Sequence, residues 1–225
     1  NGMQGEHFIL TPLGGGNEIG ANAWHVEWDD LSFLIDCGSH PERPGWFALP
    51  DLFRIKRLDF VLLTHAHSDH CGSLPWLVRH HPVPVLMTSL TRTLLQPMME
   101  DSLNLQRRLF EIDRFGESRN PALGPPVFEK ADVETLFANT ASLDDGFSCR
   151  GLEVIPFASG HILGAVGLLL VKNGRRVLVT SDIAVQPKET SAALALPDGP
   201  FDLVLSEGTR GGEGDNDEGP SRDEE

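Results

Sequence analysis

The sequence predicts an α/β (α+β) protein in which two β-sheets pack face to face under covering helices. Short apolar strands fall into an early and a late group, each with helical segments attached. An Asn173-Gly174 pair between two apolar runs marks a hairpin in the late group. The 225 residues, 40% hydrophobic, suffice for one domain with a sizeable core or for two small ones.

The elements follow in order. Residues 8–11, 23–28 and 31–35 read as short strands, the last two joined at Asp29-Asp30. Residues 60–64 form an apolar strand that runs into a histidine-rich segment. Residues 74–80 read as a helix, with Ser73 as cap candidate and Pro75 in the first turn. Residues 83–87 are a further strand. From 91 to about 115 the chain is mostly helical, with Leu94, Leu95, Met98, Met99, Leu103, Leu109 and Phe110 at broken helical spacing around Pro97; the methionines read as core filling. A Gly- and Pro-rich loop spans 116–126 and a short helix 132–138. Strands return at 152–157, 166–171, 175–180 and 203–205. Beyond Thr209 the composition turns to Gly and acid, the pattern of a disordered segment.

Composition narrows the setting. The longest apolar run, 162–171, contains two glycines and is too short to cross a bilayer. Three cysteines without a CxxC pattern indicate a reducing, cytoplasmic compartment. The net charge of −15 argues against a nucleic-acid partner at first sight, but seven acids and one base fall within 211–225. Divalent cations would offset part of the remainder. Asn1 opens the chain and Met3 follows, which reads as an excerpt of a longer polypeptide.

The segment LLTHAHSDHCG, 62–72, carries the chemistry. His65 and His67 point to one side because side-chain direction at a strand end has period two. Asp69 and His70 follow as the chain turns toward the helix. Imidazoles with a carboxylate suit zinc, or else manganese or iron. Four neighbouring residues cannot all close around one ion, so two ions sharing the cluster are expected, with ligands from elsewhere. His161, between glycines in SGHILGA, and Asp182, in TSDIA after an apolar strand, are the candidates. A bridging carboxylate at Asp182 would hold two metals about 3.5–4 Å apart with a hydroxide between them; a turn cap is the bland alternative. Asp36, ending LSFLID, could fix the tautomer of a ligand histidine or merely form a turn. Glu207 is one more carboxylate at a strand end. Cys71 reads as a small buried residue rather than a thiolate ligand.

In this order LIDCG, HAHSDHCG, SGHILGA and TSDIA resemble motifs one to four of the metallo-β-lactamase fold. SGHILGA, FDLVLSEGTRGG and the opening LGGGNEIGAN resemble its β-CASP branch, RNA-processing nucleases related to the polyadenylation-factor endonuclease. The resemblance covers residues 10–209 and implies a four-layer αββα sandwich. It implies two Zn2+, with His65, His67 and His161 on one, Asp69 and His70 on the other, and Asp182 bridging. Asp36 would support from behind the ligands, and Asp69, Asp182 and Glu207 would be the catalytic carboxylates. The implied activity is hydrolysis of RNA phosphodiester bonds, endo- or exonucleolytic, by a metal-bridging hydroxide. RNA is the implied partner, a homodimer or RNA-processing complex the implied assembly, and no membrane is involved. The implied division is a metallo-β-lactamase-like domain at 1–209, then an acidic, disordered start of a β-CASP domain at 210–225. Two later histidine motifs of that branch have no counterpart in these residues. The second metal site is therefore expected to be incomplete and the fragment inactive.

Two rival readings remain: a hydrolase of a small ester, thioester or phosphodiester, and a non-catalytic subunit of an RNA-processing complex. Gly14, Gly16 and Gly20 miss the dinucleotide fingerprint by one residue and lack a following helix, so they read as a tight loop near the cleft. His7, His25, His40, His80 and His81 read as surface or structural residues.

Overall fold

The computed structural model describes residues 7–114, 124–186 and 190–208. The acidic segment expected from 210 onward and most of the 116–126 loop lie outside the described residues.

Two sheets form the frame. The first runs β1 (Phe8–Gly14), β2 (Ala23–Trp28), β3 (Leu31–Ile35), β4 (Phe60–Leu62), β5 (Val85–Met87) and β6 (Thr140–Ser142), in that spatial order. β1 to β3 are antiparallel, and β3 to β6 are parallel. The second sheet is ordered β11 (Leu203–Leu205), β10 (Arg175–Val179), β9 (Val166–Lys172), β8 (Leu152–Ala158) and β7 (Phe147–Cys149). β7 to β10 are antiparallel, while β11 joins β10 in parallel.

Parallel strands need crossovers, and helices supply those between β4 and β5 and between β5 and β6. A one-turn α1 (Ser68–Cys71) and α2 (Leu74–His80) connect β4 to β5; α3 (Ser89–Arg114) and α4 (Lys130–Ala138) connect β5 to β6. α3 continues through Pro97, because Leu95, Met99 and Leu103 anchor it to the core on either side. Ser73 precedes α2 but does not cap it; its hydroxyl donates to Gly38 O at 2.6 Å. β6 and β7 were not expected, since TAS and FSC are too short and too polar for a periodicity signal.

Alternation along β3 and β4 divides the interior in two. Leu34 and Val61 face the helices with Leu74, Leu77, Leu95, Met99 and Leu136. Phe33, Ile35, Phe60 and Leu62 face the second sheet with Val154, Leu168, Leu170, Val177 and Val179. Strands buried on both faces have no polar side, so β4 reads as an unbroken apolar run and β3 as one interrupted only by the buried Ser32. The result is the expected sandwich, and its described helices cover the six-stranded sheet. The Asn173-Gly174 turn has φ of 52° and 83°, the hairpin geometry its sequence demands. No described helix is long and apolar enough to cross a membrane.

Candidate metal centre

The site lies at the ends of β3, β4, β8 and β10, where the two sheets meet. After β4 the chain runs extended through His65 and His67, then tightens into α1, which carries Asp69 and His70. His161 lies in the β8–β9 connection. Gly160, at φ +78°, packs so closely there that a Cβ would stand 2.3 Å from Ala184 O, which locks the His161 loop against the Asp182 loop.

His67 Nδ1 lies 3.1 Å from His65 Nε2 and 3.0 Å from His161 Nε2. Asp182 divides its carboxylate. Oδ2 faces His161 Nε2 at 3.4 Å and His65 Nε2 at 3.8 Å, while Oδ1 faces His70 Nε2 at 3.3 Å. Asp69 Oδ2 is 3.6 Å from that same Nε2. One carboxylate thus stands between a three-imidazole group and an Asp-His pair.

The donor set fits a divalent cation. Ligand atoms of His65, His67, His161 and Asp182 all lie within 4.8 Å of one another. Bonds of 2.0–2.1 Å in a tetrahedron put neighbouring ligands about 3.3 Å apart, close to the imidazole spacings here. His70 turns Nε2 toward Asp69 and Asp182 because Asp36 holds its other nitrogen, Nδ1, at 2.7 Å. Asp36 follows β3 at φ 61° and also accepts from Thr64 N–H at 2.8 Å and from the Thr64 hydroxyl.

Electrostatics separate the two groups. Burial, then the neighbouring charge of His70, pushes His65 down to about 2, so its ring is neutral, as a ligand must be. Burial would lower His70 as well, but Asp36 and then Asp182 outweigh it and push that ring up to about 10 in the metal-free protein. Burial would raise Asp182, yet its bond to His70 and that ring's charge hold it down at about 2. A proton on His70 and a cation beside it are therefore alternatives for the same carboxylates.

A cleft of about 500 Å³ opens on the His70 side, walled by Gly15–Gly20, Asn22, Asp69, Asp182 and Glu207. The glycine-rich loop is thus part of the cleft wall. Glu207 accepts from Ile183 N–H at 2.9 Å and so pins the turn that carries Asp182. Cys71 is fully buried, its thiol against Ala66 O at 3.4 Å. His25 is buried on Ser32, and His80 stacks on Trp76.

Three residues went unnoticed in the sequence. Thr64, fully buried, joins the sheets: it bonds to Asp36, receives Ser181 Oγ at 2.8 Å, and gives its carbonyl to Val166 N at 3.0 Å. Ser181 reaches it by adopting φ 53° just before Asp182. Asn22 places Nδ2 3.1 Å from His70 Nε2. A small hydroxyl or amide residue in a loop carries no pattern that announces such contacts.

Two sheets carrying histidines and carboxylates at a shared edge define a metal-binding α/β sandwich. Residues 16–210 match the Metallo-beta-lactamase superfamily, and the chain belongs to it. Divalent-metal binding is the property this fold carries.

The chain is similar to Cleavage and polyadenylation specificity factor 73 of Drosophila melanogaster, 26% identical over 90% of this chain and 28% of the relative. It is similar to Cleavage and polyadenylation specificity factor subunit 3-I of Arabidopsis thaliana, 27% identical over 92% of this chain and 29% of the relative. Endoribonuclease YSH1 of Candida albicans is 27% identical over 92% of this chain and 24% of its own length. These relatives belong to the RNA-processing branch that the motifs resemble. The chain spans about a quarter of their length.

Proposed function

We propose that this chain forms the metal-bearing part of a zinc-dependent ribonuclease of the β-CASP branch. The observation that carries this reading is the divided carboxylate of Asp182, one oxygen toward His65 and His161, the other toward His70. His65, His67 and His161 would hold one Zn2+, Asp69 and His70 a second, with Asp182 shared. When bound, the ions supply charge neutralisation at the phosphate oxygens and an activated water.

The chain's own residues do the arranging. Asp36 keeps the His70 proton on Nδ1 and leaves Nε2 free to ligate. Glu207 and Ser181 hold the Asp182 turn from two directions. The glycine-rich loop and the segment after β11 bound a cleft open enough for an extended substrate. RNA is the proposed substrate because the curated relatives carry endoribonuclease and polyadenylation-factor names. An RNA-processing complex in the cytoplasm or nucleus is the setting proposed with it.

One observation favours a rival, the hydrolase of a small ester: Glu18, Asp69, Asp182 and Glu207 make the cleft wall acidic, which disfavours a polyanion. End-labelled single-stranded RNA incubated with zinc-loaded protein separates the readings. Cleavage abolished by Asp182→Ala is expected. Intact RNA together with turnover of a small ester would overturn the ribonuclease reading.

A further inference from the structure

We propose that Trp46, Phe47 and Phe53 form a platform outside the cleft on which bases of a single-stranded RNA substrate stack. The proposal rests on the ribonuclease reading above and says where affinity for the strand comes from. The three rings sit on two 3-10 turns between β3 and β4, Gly45–Ala48 and Leu52–Arg54. Aliphatic residues fix this segment: Leu52 and Ile55 are buried in the helix-side core, and Leu49 packs against it. Backbone bonds hold it as well, His40 N–H donating to Ala48 O and Asp51 N–H to Leu13 O, both at 2.8 Å. The aromatic residues are left outside. Trp46 is 44% exposed, Phe47 68% and Phe53 76%. Trp46 and Phe53 both stand edge-on to the buried Trp76, with ring centroids 6.3 and 5.3 Å away, so they belong to one surface. Large rings grouped outward on an anchored segment add little to the core and mark a surface that meets a ligand.

Charge and position select a nucleic-acid strand as the occupant. Residues 43–57 contain four bases, Arg43, Arg54, Lys56 and Arg57, and one acid, Asp51, a local +3 in a chain of net charge −15. Glu18 and Asp59 take up Arg43 and Arg57, but Arg54 and Lys56 lie exposed just after Phe53. Rings interleaved with cations suit a single strand, because every base has a π-face and the phosphates follow the cations. An apolar peptide would make no use of those cations. The segment also adjoins the cleft. Arg43 Nη1 donates at 3.1 Å to Glu18 of the cleft wall, and a Cβ on Gly20 would stand 2.4 Å from Pro41 Cδ. Phe47 follows Arg43 by four residues, at most about 14 Å of chain. A strand that leaves the cleft over the glycine-rich loop therefore meets the platform. The acidic wall of the cleft disfavours a polyanion, whereas stacking on neutral rings is not opposed by that charge.

The test is fluorescence anisotropy of the zinc-loaded chain with an end-labelled single-stranded RNA, its linkages phosphorothioate to slow cleavage. An abasic strand of the same length and charge is the control. Phe47→Ala and Phe53→Ala are each expected to bind the RNA about 5- to 100-fold more weakly, the loss that removing one stacked ring produces. Phe53→Trp, which keeps a ring, should restore binding. The abasic strand should bind more weakly than RNA to the wild type and equally to all variants. Equal RNA affinity in wild type and alanine variants, or no RNA binding by the wild type, overturns the proposal. Equal loss for the abasic strand overturns it too, since the rings would then serve the backbone or the fold. So does loss of self-association in the variants with RNA binding untouched, which would give the surface to a second copy of the chain. Cleavage that depends on Asp182 while these variants bind RNA normally would remove the platform and leave the ribonuclease reading standing. Base-dependent binding without any cleavage would do the reverse.

Discussion

The two halves of the candidate metal centre are built on opposite plans. The half formed by His65, His67 and His161 draws on both sheets, has three imidazole nitrogens within 3.0–3.1 Å of their nearest neighbour, and is backed by the fully buried His65. The half formed by Asp69 and His70 comes from a single turn, has one imidazole, and borders the 500 Å³ cleft. Three imidazole nitrogens sharing a carboxylate nearly complete a tetrahedron by themselves, whereas one nitrogen with two carboxylates leaves positions open. The difference separates holding an ion from presenting it to a substrate. The first half is expected to keep its zinc tightly and the second to exchange it.

The largest effect should come from the group the halves share. Asp182→Ala removes the carboxylate from both, and the loss in zinc affinity should exceed the about 10–100-fold that outlying partners of a ligand cost. Zinc retained after dialysis against a weak chelator is expected to be one per chain for the wild type and less than one for Asp182→Ala. Two zincs retained by the variant would remove the shared carboxylate from the description.

Asp36→Asn acts on one half only. The amide keeps the shape but no longer favours a proton on His70 Nδ1, so the weaker zinc should lose about 10–100-fold in affinity while the tighter one is unmoved. Equal loss at both would mean that Asp36 acts on the frame instead. Gly38→Ala reaches the same half by sterics. A Cβ at Gly38 would stand 1.7 Å from Asp69 O and 2.1 Å from its carbonyl carbon, so α1 must shift. A stability cost of about 1–3 kcal/mol is expected, as for overpacking elsewhere, read as a lower urea midpoint. The weak zinc should be lost and the tight one kept.

The two halves also differ in how legible they are in the sequence. His65, His67, Asp69 and His70 occur within six residues, and such density of donors has few uses besides a metal. His161 and Asp182 are isolated, and what marks them is their placement after strands beside glycine or small residues. The doubly buried β3 and β4 were legible because mostly apolar runs, interrupted only by Ser32 in β3, end at polar residues, there Asp36 and Thr64. Thr64, Ser181 and Asn22 were not legible, because their importance lies in which chain segments meet, and side-chain type alone does not encode that. β6 and β7 were missed for a related reason: three residues with little burial take their strand form from neighbours.

The smallest expected effect places the same contrast on a pH axis. In the metal-free protein His70 is raised from 6.5 to about 10, so its stabilising contribution is full below pH 6.5 and is lost as pH rises toward 10. His65 is lowered to about 2, so its contribution is present above pH 6.5 and is lost as pH falls below that value. Asp182, held at about 2, adds a loss on the acid side only below the ordinary carboxylate range of 3.8. The open half should therefore fail toward alkali and the closed half toward acid. Urea midpoints of metal-free protein between pH 5 and 9 should fall on both sides of neutrality. Toward pH 9 the alkaline limb also contains the ionisation on unfolding of Cys37 and Cys71, whose ordinary value of 9.0 burial pushes up in the folded protein. His70→Asn should flatten the alkaline limb alone and His65→Asn the acid limb alone. Zinc should flatten both, because a cation replaces the proton on His70 and uses the neutral ring of His65. If both limbs respond together to either substitution, the two halves titrate as one unit and the division between them fails.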